Sequence, residues 1–405
     1  MQNIYFGDKT ILNWKTFSQW LILWGIVLGK YGELIALLLF LVISIFYFKR
    51  FYPLGKAIVF LILIGIVSLV QITKNNYEYE KFMQQISLIS IYVICYAEFF
   101  QYQKENLTQL WDKYIKISFW VSIIGLIQFV VFYFTFVDIF DNGFGGEGRF
   151  IRIHSFFQEA GNLATFLTPC TAYILFSKEY RKKERKQSLI VLLTYLLTFT
   201  TIAYFIGVLI VLYKLLMKYN KLKYILIFPI IILSVNFLES SQSKEYDNKN
   251  FLDVIQLKLS QTINAFENFS PYDFEFLNAS SYATLTNLWV AQNAPERFIG
   301  TGLGTHEISY ERLYKSDYRL YGLNKDDAYS LITRIYSEFG LVGLIMFAFF
   351  LKKYYRKNNI VVQSLLFIFV SMGIRGGHYF AYGVIFFVFL FIYSAKNNII
   401  YEKVS

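Results

Sequence analysis

The chain runs to 405 residues, 56% of them hydrophobic and 20% aromatic, with only 5 prolines and a formal net charge of +11. Its apolar residues lie in long runs rather than at amphipathic spacing, which excludes an ordinary soluble domain, and the runs exceed the strands of about ten alternating residues that a membrane barrel needs. The positive charge does not point to nucleic acid, because it collects in short clusters that mark cytoplasmic loops, with no basic groove carrying aromatic platforms.

Those clusters are Lys49 and Arg50, then Arg181 to Lys186, then Lys214 to Lys223, and Lys352 to Lys357. A membrane-crossing helix needs about 20 mostly apolar residues, fewer inside a bundle. Residues 17–29 and 34–48 read as a short helical pair turning around Lys30, Tyr31 and Glu33, with both ends cytoplasmic. No small-residue cleavage site follows the first run, so it reads as a span rather than a signal peptide. The runs 57–73, 83–100 and 117–137 then alternate, which places 138–162 as an outer loop. Cys95 and Cys170 fall inside apolar runs and read as small core residues, with no disulfide or metal spacing.

The run 163–177 returns the chain to the basic loop around Arg181. Residues 188–217 lie between two basic clusters, so they must leave and come back. They predict a tight helical hairpin turning near Thr198, Thr200 and Thr201, whose hydroxyls satisfy backbone groups at the bend. The run 224–238 exits again, and 239–330 forms a long outer loop with 13 acidic and eight basic residues. Within it Leu252, Ile255, Leu259, Ile263 and Phe266 recur at helical spacing and predict an amphipathic helix. The runs 331–351, 359–374 and 379–394 complete the chain. The expected fold is therefore all-α and polytopic: a single integral membrane domain over 1–405, about 12 transmembrane helices, a long, partly helical extracytoplasmic loop, and both termini cytoplasmic.

Polar chemistry concentrates in the outer segments. The stretch GEGRFIRIHSFFQEAGN carries Arg149, Arg152, His154 and Glu159, with Gly145, Gly146 and Gly148 supplying a turn. Arg297 and Arg312 lie in the long loop, and IRGGHYF sets Arg375 and His378 around Gly376 and Gly377. All three histidines, His154, His306 and His378, map outside beside arginines. Guanidinium forks hold phosphate bidentately at any physiological pH, so arginines here suit the pyrophosphate of a lipid-linked sugar. They could stabilise the charge on a departing pyrophosphate without a metal, while Glu159, His154, Asp326, Asp327 or His378 takes the proton of an attacking hydroxyl. Arg334 and Glu338 stand four apart at the outer end of a span; they pair there, or they serve function, since charge within a span is costly. Gly300, Gly302 and Gly304 follow no strand pattern, so they read as a turn packing the loop onto the bundle rather than a nucleotide fingerprint.

Three patches carry a family resemblance: RFIRIHSFFQEAGNLATFL, LWVAQNAPERFIGTGLG and DDAYSLITRIYSEFGLVG. In order and in layout they resemble the Wzy-type O-antigen and capsular polysaccharide polymerases, within the superfamily that includes the O-antigen ligases. Tyr329 stands where ligases tend to carry histidine, which favours polymerase over ligase, and LTFTTIAYF lacks the arginine that family members often place at the central hairpin. The resemblance implies a metal-independent membrane glycosyltransferase of the GT-C type without cofactor. It would transfer a growing glycan from polyprenyl pyrophosphate to a lipid-linked repeat unit at the outer face of the bacterial cytoplasmic membrane. It implies Glu159, His154, Asp327 and His378 as catalytic candidates, and Arg149, Arg152, Arg297, Arg334, Arg375, Tyr329 and Glu338 as substrate contacts. Its implied partners are polyprenyl pyrophosphate-linked oligosaccharides, membrane lipid and a chain-length regulator protein. The competing classes are an O-antigen ligase and a lipid-linked oligosaccharide flippase; against the flippase, the charges collect at span ends rather than near the midplane.

Overall fold

The computed structural model describes residues 8–47, 55–140, 151–218, 269–376, 378–380 and 382–397. Every α, π or 3-10 element among them is helical, and no strand occurs among the described residues. Helices α1 (Asp8–Val27) and α2 (Gly29–Val42) are followed by a π turn over Ile43–Tyr47. They break at Leu28 and Gly29, where glycine takes φ 81°, earlier than the turn expected around Lys30, Tyr31 and Glu33. Those three residues belong to α2 instead. Glu33 is buried and accepts the Tyr96 hydroxyl at 2.5 Å and the Gly383 amide at 3.0 Å, which explains how an acid fits inside an apolar helix.

The chain continues through α3 (Gly55–Lys74), α4 (Tyr79–Gln103), α5 (Leu107–Thr135), α6 (Ala160–Phe176), the short basic α7 (Lys178–Lys183), α8 (Arg185–Leu197) and α9 (Thr201–Lys218). Between α8 and α9 the helix breaks at the position expected for the turn. Thr198 Oγ1 donates to the Tyr195 carbonyl at 2.8 Å, Thr200 Oγ1 accepts the Ala203 amide at 3.3 Å, and Phe199 between them takes φ 46°. After a 3-10 turn at Asp273–Phe276 come α10 (Ala279–Asn293), α11 (His306–Leu313), α12 (Leu331–Tyr354), α13 (Ile360–Ile374) and α14 (Val384–Lys396). The span expected at 224–238, the amphipathic helix expected over 252–266, Arg149, Gly145, Gly146, Gly148 and Gly377 lie outside the described residues.

Among the described residues five segments are long and apolar enough to cross a membrane: Gly29–Phe46, α3, α4, α5 and α12. Four shorter apolar helices accompany them: α6, Thr201–Met217 within α9, α13 and α14. This is the architecture of a helical membrane protein.

The chain divides into two compact units, one of Met1–Ile66, Met83–Val211 and Phe347–Ser405, the other of Val67–Phe82 and Leu212–Met346. In the first, α6 is buried along nearly its whole length and packs lengthwise on α13, with α8 and α5 against its other sides. Its Thr165 hydroxyl meets Ser371 of α13 at 2.9 Å, and the free thiols of Cys95 and Cys170 are buried. The second unit is built on α10 and α11, whose Tyr282, Leu285, Val290 and Tyr310, with Tyr314 just after α11, close a small aromatic core.

Candidate functional site

In the first unit the polar chemistry gathers between α5 and α6. Gln128, buried on α5, donates from Nε2 to Asp138 Oδ1 at 2.8 Å, and its Oε1 accepts the amides of His154 (3.2 Å) and Ser155 (2.9 Å). Asp138 Oδ2 lies 3.1 Å from His154 Nε2, and His154 Nδ1 lies 3.0 Å from the Phe157 carbonyl oxygen. A carbonyl only accepts, so Nδ1 carries a proton. Burial pushes the Asp138 carboxyl up, but hydrogen bonds from Gln128, the Phe140 amide and His154 outweigh it and hold the group below its ordinary range. Both ring nitrogens of His154 are thus engaged, one by the Phe157 carbonyl and one by Asp138, and the ring clamps the loop to α5 through its partners.

The residues just before His154 belong to no helix or turn. Ile151 and Ile153 are buried while Arg152 between them is exposed. Ile153 seats on Gly125 of α5, where an added Cβ would lie 2.6 Å from its Cγ2. Arg152 is thus presented outward from a fixed strip of chain.

Glu159 occupies the residue just before α6, with extended backbone (φ −138°, ψ 151°), and its carbonyl accepts the amides of Asn162 and Leu163 at 3.0 and 3.2 Å. Its carboxylate pairs with the guanidinium of Arg375, which follows α13. An added Cβ on Gly161 would lie 3.0 Å from Arg375 Cζ and 3.1 Å from Nη1, so the guanidinium rests directly on the glycine. The Glu159 side chain keeps 37% of its exposure and Arg375 26%, so the pair is open to solvent. Tyr382 completes the surroundings, with its hydroxyl in reach of the Gln158 backbone and the Asn162 amide. His378, three residues after Arg375 in the chain, is exposed.

In the second unit, two sequence patches fold onto one another. Helix α12 is interrupted at Gly340 (φ 62°, ψ −160°). The groups freed there are taken up by the loop after α10: the Leu341 and Val342 amides donate to the carbonyls of Arg297 (3.1 Å) and Phe298 (3.0 Å), and the Thr301 and Gly302 amides donate to the carbonyls of Ser337 (3.1 Å) and Glu338 (2.8 Å). The approach is too close for side chains. A Cβ at Gly300 would lie 2.3 Å from the Phe339 nitrogen, and one at Gly340 would lie 2.4 Å from the Phe298 carbonyl. The glycines serve as the packing turn expected of them. Arg297 stands exposed on this loop.

Beneath the loop lies a buried polar network. Arg334 Nε donates to Glu338 Oε1 at 3.1 Å, with side-chain exposures of 1% and 0%. His306 Nε2 is 2.8 Å from Asn287 Oδ1, and its Nδ1 is 2.8 Å from Ser337 Oγ. Asn287 spends its amide protons on the carbonyls of Ala283 (2.7 Å) and Leu323 (3.2 Å), so Oδ1 faces the ring and Nε2 is the protonated nitrogen. Burial, together with the charge of Arg334, pushes the His306 imidazole down to about 3, so the ring stays neutral. Asp327 is buried and accepts the Tyr329 amide at 3.0 Å on one oxygen, while Ala328 and Tyr329 take φ 58° and 60°. Two successive non-glycine residues in the left-handed region are costly, and such strain gathers at functional segments.

Among the described residues no group of three or more His, Cys, Asp or Glu side chains is placed to hold a metal ion. Neither a protein-family model nor a curated protein matches the chain. Of the candidates read from sequence, Glu159 meets Arg375, Arg334 meets Glu338, and Asp327 meets Tyr329; Arg152, Arg297 and His378 are presented to the exterior. Sequence reasoning missed Gln128 and Asp138, although a glutamine within the apolar run LIQFVVF was a signal for a buried polar contact. It also missed Asn287 and Ser337 as the partners of His306, for which spacing offered no sign.

Proposed function

We propose that this chain is a membrane-embedded glycosyltransferase of the polysaccharide polymerase kind, working on lipid-linked oligosaccharide pyrophosphates with arginine rather than metal as the electrophilic partner. The observation that carries the reading is the meeting of Glu159 with Arg375. These residues stand 216 positions apart, from two different sequence patches, and come together half-exposed over Gly161 at the start of the most buried helix. In the proposed reaction the attacking sugar hydroxyl gives its proton to the Glu159 carboxylate as its oxygen bonds the anomeric carbon. The bond from that carbon to the pyrophosphate oxygen breaks, and Arg375 takes up the charge on the leaving group. A phosphate competes with Glu159 for Arg375, so substrate binding itself frees the carboxylate to act as base.

Arg152 and Arg297 are exposed and suited to contact phosphate or glycan, and the strained segment Asp327–Tyr329 supports a role for Tyr329 at the substrate. His378 serves as the alternative base. The reading extends to about twelve crossings of GT-C type, both termini cytoplasmic, and the site at the outer face of the bacterial cytoplasmic membrane, with Arg149 in the same outer loop.

Reconstitution with purified lipid-linked repeat units tests it. Elongation that persists in a chelator is expected, and its absence with authentic substrate ends the polymerase reading. Cells lacking the protein are expected to stall at one repeat unit. Long glycan left on its lipid carrier would instead indicate a ligase, and substrate held facing the cytoplasm a transporter.

A further inference from the structure

We propose that the loop from Pro295 to Gly302 is a membrane wedge: Phe298 and Ile299 enter the hydrocarbon of one leaflet, and Arg297 stands at the level of the lipid phosphates. The inference requires only that α3 and α12 cross the membrane, and it is independent of glycosyl transfer.

Contacts on α3 carry the first part. At the polar end of that helix, Lys74 pairs with Glu296 at 2.5 Å. Three residues further into the helix the Gln71 amide donates to the Ile299 carbonyl, and at Ser68 the hydroxyl accepts the Leu303 amide at 3.2 Å. An added Cβ on Gly302 would lie 3.0 Å from the Ser68 carbonyl. From Lys74 to Ser68 is six residues, about 9 Å along a helix at ~1.5 Å each. The loop therefore runs inward from the charged end of α3, alongside its apolar length.

On α12 the same loop meets the point where the uninterrupted apolar stretch begins. Its backbone takes the Leu341 and Val342 amides and supplies donors to Ser337 and Glu338, all within 2.8–3.1 Å. In or near hydrocarbon an unsatisfied backbone group costs several kcal/mol, so irregular chain is tolerated there only when it is paired in this way. A loop fully on the water side has no such need.

The side chains give the occupant. Phe298 is 64% exposed and Ile299 37%, and the two helices that the loop is bonded to expose apolar residues of their own, Val70 on α3 and Leu341, Ile345 and Met346 on α12. Both helices are long and apolar enough to span a bilayer, so exposed apolar side chains on a loop bonded along them have acyl chains as their fitting surroundings. The order of charge supports the same depth: Lys74, Glu296 and Arg297 form a polar collar, and an arginine so placed reaches back to phosphate while its stem lies on apolar surface.

Spin labels on the full chain in phospholipid vesicles test the proposal, with the buried Cys95 and Cys170 replaced by alanine. Nitroxides are attached at Phe298→Cys and, separately, at Ile299→Cys. Ile345→Cys serves as the lipid reference and the exposed Lys315→Cys as the water reference. Collision with oxygen, which concentrates in hydrocarbon, is compared with collision with a water-soluble nickel chelate. The expected oxygen-to-chelate ratios at 298 and 299 match position 345. A ratio at either position that matches Lys315→Cys overturns the proposal; if labelling at 298 prevents folding, position 299 decides alone.

Discussion

Two arginine–glutamate pairs in this protein share their chemistry and differ in their access to water. Arg334 and Glu338 are at most 1% exposed, on one helix and beneath a docked loop, whereas Arg375 and Glu159 keep 26% and 37% and come from distant parts of the chain. A pair that is sealed cannot exchange its partner for a ligand without unfolding its cover. A pair that is open can. The difference separates charge that maintains the fold from charge available for chemistry, although both looked alike as residues near the ends of spans. Arg334 and Glu338, expected either to pair or to serve function, do pair, and they do so in the sealed region.

The sharpest way to break that distinction is to remove one member of the sealed pair. Arg334→Ala or Glu338→Ala leaves a buried charge without its partner and is expected to cost about 3–5 kcal/mol. Thermal denaturation of the purified protein in detergent should show a large fall in midpoint for either change. The double variant Arg334→Met, Glu338→Leu should recover most of it, because apolar residues of similar volume tolerate the site. Equal loss in the double variant would mean that the charges do more than hold one another.

How much of this was legible in the sequence depends on the range of the interaction. The break at Thr198 and Thr200 was readable because its determinants are local: two basic flanks, a length short of two full crossings, and hydroxyls at the bend. The packing role of Gly300 and Gly302 was readable because no strand pattern precedes them, but not that their target is the Gly340 break in α12. The turn expected at Lys30 to Glu33 was misplaced because polar residues look like a turn. Glu33 instead finds the Tyr96 hydroxyl and the Gly383 amide, residues that no local pattern connects to it. The partners of His154 were not readable, because sequence spacing says nothing of a carbonyl at one nitrogen and a carboxylate at the other. The meeting of Glu159 with Arg375 was foreseen only as membership of one face.

Acid sharpens the comparison next. His306 belongs to the sealed region, and its folded value of about 3 lies well below the ordinary imidazole value of 6.5. The unfolded chain binds a proton below pH ~6.5 while the folded chain does not until pH ~3, so stability present above that upper value is lost progressively as pH falls through the window. The expected loss is on the order of a few kcal/mol. Denaturation midpoints measured from pH 7 down to 4 should decline, and His306→Gln should flatten the decline. An unchanged slope in that variant would assign acid sensitivity elsewhere.

Glycine substitutions give a smaller effect with a built-in control. Gly300→Ala forces a methyl to within 2.3 Å of backbone and requires φ 80° of an alanine, whereas Gly376 (φ 110°) has nothing within 4 Å of an added Cβ. Overpacking of this kind costs about 1–3 kcal/mol in addition to the backbone strain that both positions share. Gly300→Ala should therefore lower the denaturation midpoint more than Gly376→Ala. Equal shifts would show that the loop gives way instead of resisting.

The smallest expected effect on stability falls on the open pair, and it is the one that bears on function. An exposed ion pair gains little in water and pays side-chain entropy, so Glu159→Gln and Arg375→Ala should each change stability by less than about 1 kcal/mol. Their effect on transfer should be large and different in kind. In the proposed reaction Arg375→Ala removes the group that would meet the leaving pyrophosphate, while Glu159→Gln leaves that arginine without its competing carboxylate. Binding of inorganic pyrophosphate should accordingly weaken in Arg375→Ala and strengthen in Glu159→Gln, although both abolish elongation. Arg375→Lys should not restore transfer, since a point charge does not reproduce the planar fork. If Glu159→Gln instead weakened pyrophosphate binding, the carboxylate would be positioning the arginine rather than competing for it, and the two regions would differ in exposure but not in role.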